Sequence, residues 1–129
     1  IVVARSIGLD SESPKVLSQQ MADKYKLMCI ITLGEDGVVA CDYDCSEPVS
    51  MPALRVKAID SIGAGDAFVG AYTAALAEGG DYWSALPYGI VAGSLACTRV
   101  GAQTGLPNAK EIKKQIPALL KTIKKSKNS

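Results

Sequence analysis

The stretch that most constrains this chain runs from Ala58 to Tyr72, A-I-D-S-I-G-A-G-D-A-F-V-G-A-Y. Leu54 to Ile59 leads into it by alternating apolar with basic residues, the period of a strand. Two glycines, Gly63 and Gly65, then bracket Ala64, and Asp66 follows at once. Beyond Asp66 the pattern becomes a small-residue, apolar helix, read from about Gly65 to Ala77, where Gly79-Gly80 stops it. A helix beginning at such a turn points unpaired N–H groups and its positive end at whatever sits above, which makes an anion site. A carboxylate in that first turn would repel the anion. It has a use if a proton must leave a nucleophile that attacks a phosphoryl group.

Two further stretches carry chemistry. Thr32-Leu33-Gly34-Glu35-Asp36-Gly37 ends a continuous apolar run, Leu27 to Leu33, of strand length. It sets a hydroxyl and exposed amides at the carboxyl end of a strand, where open α/β sheets bind ligands. Thr98-Arg99-Val100-Gly101-Ala102-Gln103 follows the next helical stretch.

Together these residues resemble the ribokinase-like, or PfkB, carbohydrate kinases. D-S-I-G-A-G-D-A-F-V-G-A is close to the family's second signature. T-L-G-E-D-G and T-R-V-G-A-Q are similar to its nucleotide-contacting and C-terminal loops. The resemblance runs from about Ile7 to Ile112 and covers only the C-terminal part of such a domain. It implies an α/β fold, a three-layer α/β/α sandwich around a mainly parallel sheet, with residues 1–129 forming its nucleotide-binding part. The activity it implies is ATP-dependent phosphorylation of a sugar hydroxyl, with ribose as the sugar in closest pattern. Kinases of fructose, a nucleoside or a sugar acid are alternatives, as is a nucleotide-binding fragment without catalysis.

By the same resemblance Asp66 is the base that takes the proton of the substrate hydroxyl, and it also contacts that substrate. The backbone N–H groups of Gly63, Ala64, Gly65 and Asp66 supply the anion hole, and Thr32, Gly34, Gly37 and Ile90 contact the nucleotide. Ile90 stands where relatives often carry a polar residue, which implies a greasier adenine pocket. A potassium ion is implied between the carboxylate of Asp60 and main-chain carbonyls of Ile62, Ala96, Arg99 and Gly101. Gly105 stands where many relatives place a serine ligand. Oxygen-rich coordination suits such a hard cation. Magnesium is expected to arrive with ATP, held by phosphate oxygens and water.

The remaining sequence is consistent with an α/β chain. Ser13-Pro14 starts a helix, and Leu17, Met21 and Tyr25 recur at helical spacing, so Pro14 to Tyr25 is read as an amphipathic helix. Gly34 to Gly37 turns the chain and Val38 to Cys41 returns as a short strand. Asp42 to Pro52 is acidic, carries two prolines and reads as a loop with room for an edge strand. Asp81 is placed to cap a helix that runs to about Arg99, with Pro87 kinking it or delaying its start. Asn108 is placed to cap a last helix that Pro117 interrupts.

Net charge is +1, and no apolar run reaches bilayer length, so neither nucleic acid nor membrane is an expected partner. Seven of the 14 Lys and Arg residues lie between Lys110 and Lys127, with no aromatic residue among them. They read as the solvated face of a basic C-terminal helix and tail over 110–129. The chain has no His, which excludes a Cys/His zinc site, and its four cysteines are expected as reduced thiols. It opens on Ile1-Val2-Val3 and is read as a piece of a longer cytoplasmic protein that forms a homodimer.

Overall fold

The computed structural model describes residues 2–5, 13–43, 47–99 and 107–127. The chain divides into two compact units, Ile1–Met51 and Pro52–Ser129.

The first unit is a four-stranded sheet with one helix. Its elements are β1 (Val2–Arg5), α1 (Pro14–Tyr25), β2 (Cys29–Thr32), β3 (Val38–Cys41) and β4 (Val49–Met51), and the strands lie in the order β1-β2-β3-β4. Helix α1 has the boundaries its sequence predicts. Ser13 is extended at φ −67° and accepts the Val16 N–H at 3.2 Å, Pro14 takes the first helical position, and Lys26 ends the helix in the left-handed region. The helix packs on β2 and β3. Ala22, Cys29, Ile31 and Cys41 form the buried contact, with Leu17, Met21, Leu27 and Leu33 around it. Cys29 pairs with Cys41 and Ile31 with Val39, so these four share one face of the sheet. Ile30 and Ala40, on the opposite face, are also fully buried, as the continuous apolar run predicts.

The sheet is mixed. β1 and β2 are parallel, joined through α1, and the expected parallel pairing is confined to them. β2–β3 and β3–β4 are antiparallel. The reason is connection length: the turn from Leu33 to Gly37 is too short for the crossover that parallel strands need. β4 is the edge strand for which the acidic loop left room. The cysteines divide. Cys29 and Cys97 are free, whereas Cys41, expected as a reduced thiol, is disulfide-bonded. Cys45 lies outside the described residues.

The second unit is helical: α2 (Ala64–Ala77), α3 (Leu86–Ala96) and α4 (Ala109–Lys127), with α3 packed against both others. The α2–α3 pair is close because α3 presents small residues. The ring of Phe68 fills the space over Gly89, and the Ala64 carbonyl lies near Gly93. Tyr72, fully buried, stacks on Phe68 and donates its hydroxyl to the Tyr82 carbonyl at 2.9 Å. Gly93 thus meets the first turn of α2, while Tyr82, before α3, meets its middle. The two helices therefore run antiparallel, with the C-terminal end of α3 beside the N-terminal end of α2.

Two sequence expectations are corrected in this unit, and at Pro87 the structure takes the second of the two expected outcomes, a delayed helix start. Leu54 to Ile59 is not a strand. Its donors go to α3 instead: Leu54 N–H to Ser94 Oγ at 3.2 Å, and Ile59 N–H to the Cys97 carbonyl at 2.7 Å. Alternation alone makes no strand where no ladder partner exists. Asp81 caps a preliminary turn, accepting the N–H groups of Trp83 and Ser84, and α3 begins only at Leu86 with Pro87 in its first turn. Pro117 does not interrupt α4, which runs through it. An interior proline costs about 3 kcal/mol. Ile112 and Leu119, buried on one face either side of it, offset that at roughly 1.5–3 kcal/mol each. No helix among the described residues is long and apolar enough to cross a membrane.

Candidate active site

The junction before α2 is built from three local devices. Asp60 closes its first turn by accepting the Ile62 N–H on Oδ1 at 2.9 Å. The Ser61 carbonyl then accepts the Ala64 N–H at 3.2 Å. Gly63, the N-cap, sits at φ 84°, ψ −4°, a left-handed conformation that a Cβ would penalise by about 1–2 kcal/mol. This is why a glycine stands there. It turns the chain so that the first amides of α2 emerge together.

Of the four amides expected at an anion hole, those of Gly63, Ala64, Gly65 and Asp66, one is already engaged within the protein. The Ala64 N–H is engaged by Ser61. Among the described residues no protein acceptor takes the N–H groups of Gly63, Gly65 or Asp66. These three, at the positive end of a 14-residue helix, remain to meet an anion. Asp66 is the acidic residue of the first turn, and its side chain is exposed. A carboxylate there is open to a ligand that approaches the first turn of α2.

Asp60, Ile62, Ala96 and Arg99, the expected cation ligands, are brought into one neighbourhood, and Gly101 lies outside the described residues. The Cys97 carbonyl accepts both the Ile59 and the Asp60 N–H, at 2.7 and 3.1 Å, which hangs Asp60 on the end of α3. Partial burial, and then the Asp60 carboxylate, push the Cys97 thiol up. That negative charge adds to the carbonyl-rich, negative end of α3. The Ala96 carbonyl accepts the Arg99 N–H at 3.2 Å as the helix unwinds. Carbonyl oxygens carry a second lone pair, so this donor set fits a monovalent cation.

The sequence reading assigned Arg99 only its carbonyl and missed its side chain. The guanidinium pairs with Glu111 in the first turn of α4. Glu111 and Asn108 also cap each other: the Glu111 N–H donates to Asn108 Oδ1 at 2.9 Å, and the Asn108 N–H to Glu111 Oε1 at 3.4 Å. The spacing N-x-x-E was the signal available for this.

The remaining nucleotide candidates fall as follows. Thr32 ends β2 opposite Val38. Gly34 and Gly37 frame a single 3₁₀ turn, with φ 61° and 90°, in which the Leu33 N–H donates to the Gly37 carbonyl at 2.8 Å. They belong to the first unit, whereas Asp66 and the cation ligands belong to the second. Ile90 lies in α3 and is only 3% exposed.

Comparison with known proteins bears directly on this arrangement. The family model described as pfkB family carbohydrate kinase matches residues 4–109. The chain is similar to a ribokinase of Lactococcus lactis, 32% identical over 106 residues, covering 82% of this chain and 35% of that protein. It is also similar to a probable fructokinase-5 of Arabidopsis thaliana, 34% identical over 113 residues, covering 81% of this chain and 34% of that one. Among solved structures it resembles a putative ribokinase II from E. coli in complex with ATP and magnesium. The TM-score is 0.64 at 32% identity, over 71% of this chain and 29% of that one. The chain spans about a third of the length of the curated relatives it matches.

Proposed function

The chain belongs to the pfkB family of carbohydrate kinases, and on that premise we propose that it carries the phosphoryl-transfer machinery of an ATP-dependent sugar kinase, with ribose as the sugar. The observation that carries the reading is the exposed Asp66 carboxylate in the first turn of α2, beside amides with no protein acceptor.

Phosphoryl transfer asks a protein mainly for positioning and for charge stabilisation. The N–H groups of Gly63, Gly65 and Asp66 face the transferring phosphoryl group and steady the charge that gathers on its oxygens. Asp66 accepts the proton of the sugar hydroxyl as that oxygen attacks. Magnesium travels with the ATP phosphates. Potassium would be held by the Asp60 carboxylate with the carbonyls of Ile62, Ala96 and Arg99, where it would neutralise the negative end of α3. The intact protein is read as a cytoplasmic homodimer, working where ATP is regenerated.

The test is Asp66→Asn in the protein assayed for ADP release across a sugar panel. Turnover is expected to fall by roughly 10²–10⁴-fold while ATP affinity stays within about twofold of wild type, because the amides that hold the anion are unchanged. Unchanged turnover refutes the base assignment. The panel itself decides the sugar: faster turnover on fructose than on ribose moves the chain to the fructokinase branch, which the likeness to the Arabidopsis protein keeps in view. ATP binding without turnover of any sugar leaves a nucleotide-binding fragment.

A further inference from the structure

We propose that Glu111 is a positioning residue of the cation site, its carboxylate clasping the exit of α3 to the start of α4 and so fixing the main chain at Ala96 and Arg99. The proposal rests on the potassium reading above.

The two carboxylate oxygens do different work. Oε2 accepts from Arg99 Nη2, three residues past the end of α3. Oε1 accepts the Asn108 N–H, and the Glu111 N–H returns a bond to Asn108 Oδ1. One side chain thus ties together positions nine residues apart in sequence. Arg99 is itself bonded back to the last turn of α3 through its N–H and the Ala96 carbonyl. The chain of contacts therefore runs from the α4 cap, through Arg99, to the Ala96 carbonyl, one residue before the Cys97 carbonyl that holds Asp60.

A stability role alone is a poor account of this clasp. The two side chains are 28% and 38% exposed, and ion pairs at such exposure add little to global stability. Their geometric effect is larger. The planar guanidinium holds a carboxylate in a defined direction, which a lysine does less well.

The experiment follows thermal unfolding of the chain against potassium chloride, with choline chloride holding ionic strength constant. Wild type is expected to gain stability with potassium. Glu111→Gln keeps an acceptor for Asn108 but loses the charge that holds Arg99. It is expected to need roughly tenfold more potassium for half the gain, the range in which outer ligands affect metal affinity. Arg99→Gln, which leaves the α4 cap intact, should show the same shift, the double variant no further shift, and Arg99→Lys partial recovery. A half-point in Glu111→Gln equal to that of a responsive wild type overturns the clasp alone. A wild type indifferent to potassium overturns the cation reading, and the clasp with it, and is seen in the control before any variant is made.

Discussion

Glycine-to-alanine substitution is expected to act with opposite sign at two positions of the second unit. In a helix interior alanine is favoured over glycine by about 1 kcal/mol. At Gly70, on the exposed side of α2, an added Cβ meets nothing within 4 Å. Gly70→Ala is therefore expected to stabilise by about 0.5–1 kcal/mol. At Gly89 the same methyl would lie 3.0 Å from Phe68 Cε2 and Cζ and 3.1 Å from Cδ2. That ring cannot swing aside. It is 3% exposed and stacked on Tyr72, whose hydroxyl is tied to Tyr82. Overpacking of this kind costs roughly 1–3 kcal/mol, which offsets the propensity gain of about 1 kcal/mol and leaves a net loss of up to about 2 kcal/mol. Urea unfolding followed by the fluorescence of Trp83, the one tryptophan, measures both variants on one scale. A Gly89→Ala protein as stable as Gly70→Ala would refute the close packing of α2 on α3.

Other expectations are simpler to state. Ser13→Ala removes the acceptor of the Val16 N–H and is expected to cost about 1 kcal/mol in urea unfolding of the first unit, followed by labelling of the buried Cys29 thiol. Cys29 is fully buried and its thiol is pushed up by burial, so it should resist iodoacetamide at pH 7 until the chain unfolds; labelling at the rate of a free peptide thiol would contradict that. The folded Glu111 carboxyl titrates below its unfolded value of 4.5. The stabilisation it adds is therefore fully present above pH 4.5 and is lost as pH falls through the lower folded value. Acid unfolding of Glu111→Gln should accordingly be less steep than that of wild type in that range.

How far the residues alone disclosed this arrangement depended on whether the deciding interaction was local. Ser13-Pro14 marked the start of α1 because a cap and a fixed φ act within one turn. The glycine–carboxylate order before α2 announced its bend for the same reason: the left-handed cap at Gly63 is a property of four residues. Where distant partners decide, pattern misled. Leu54 to Ile59 alternates like a strand, but its donors are claimed by Ser94 and Cys97, some 40 positions away. Pro117 reads as a break, but burial of Ile112 and Leu119 carries α4 across it. The Arg99 guanidinium was overlooked because its partner becomes visible only once α4 is placed against α3.

The suspension of Asp60 from the far end of α3 has a consequence for how this segment tolerates change in length. Ser94 and Cys97 grip the incoming chain at two points on one helix, and each residue of a helix advances its azimuth by about 100°. An insertion or deletion between those two grips would rotate one hook away from the other and leave Asp60 aimed elsewhere, even with every side chain preserved. Indels there should be lethal to the site.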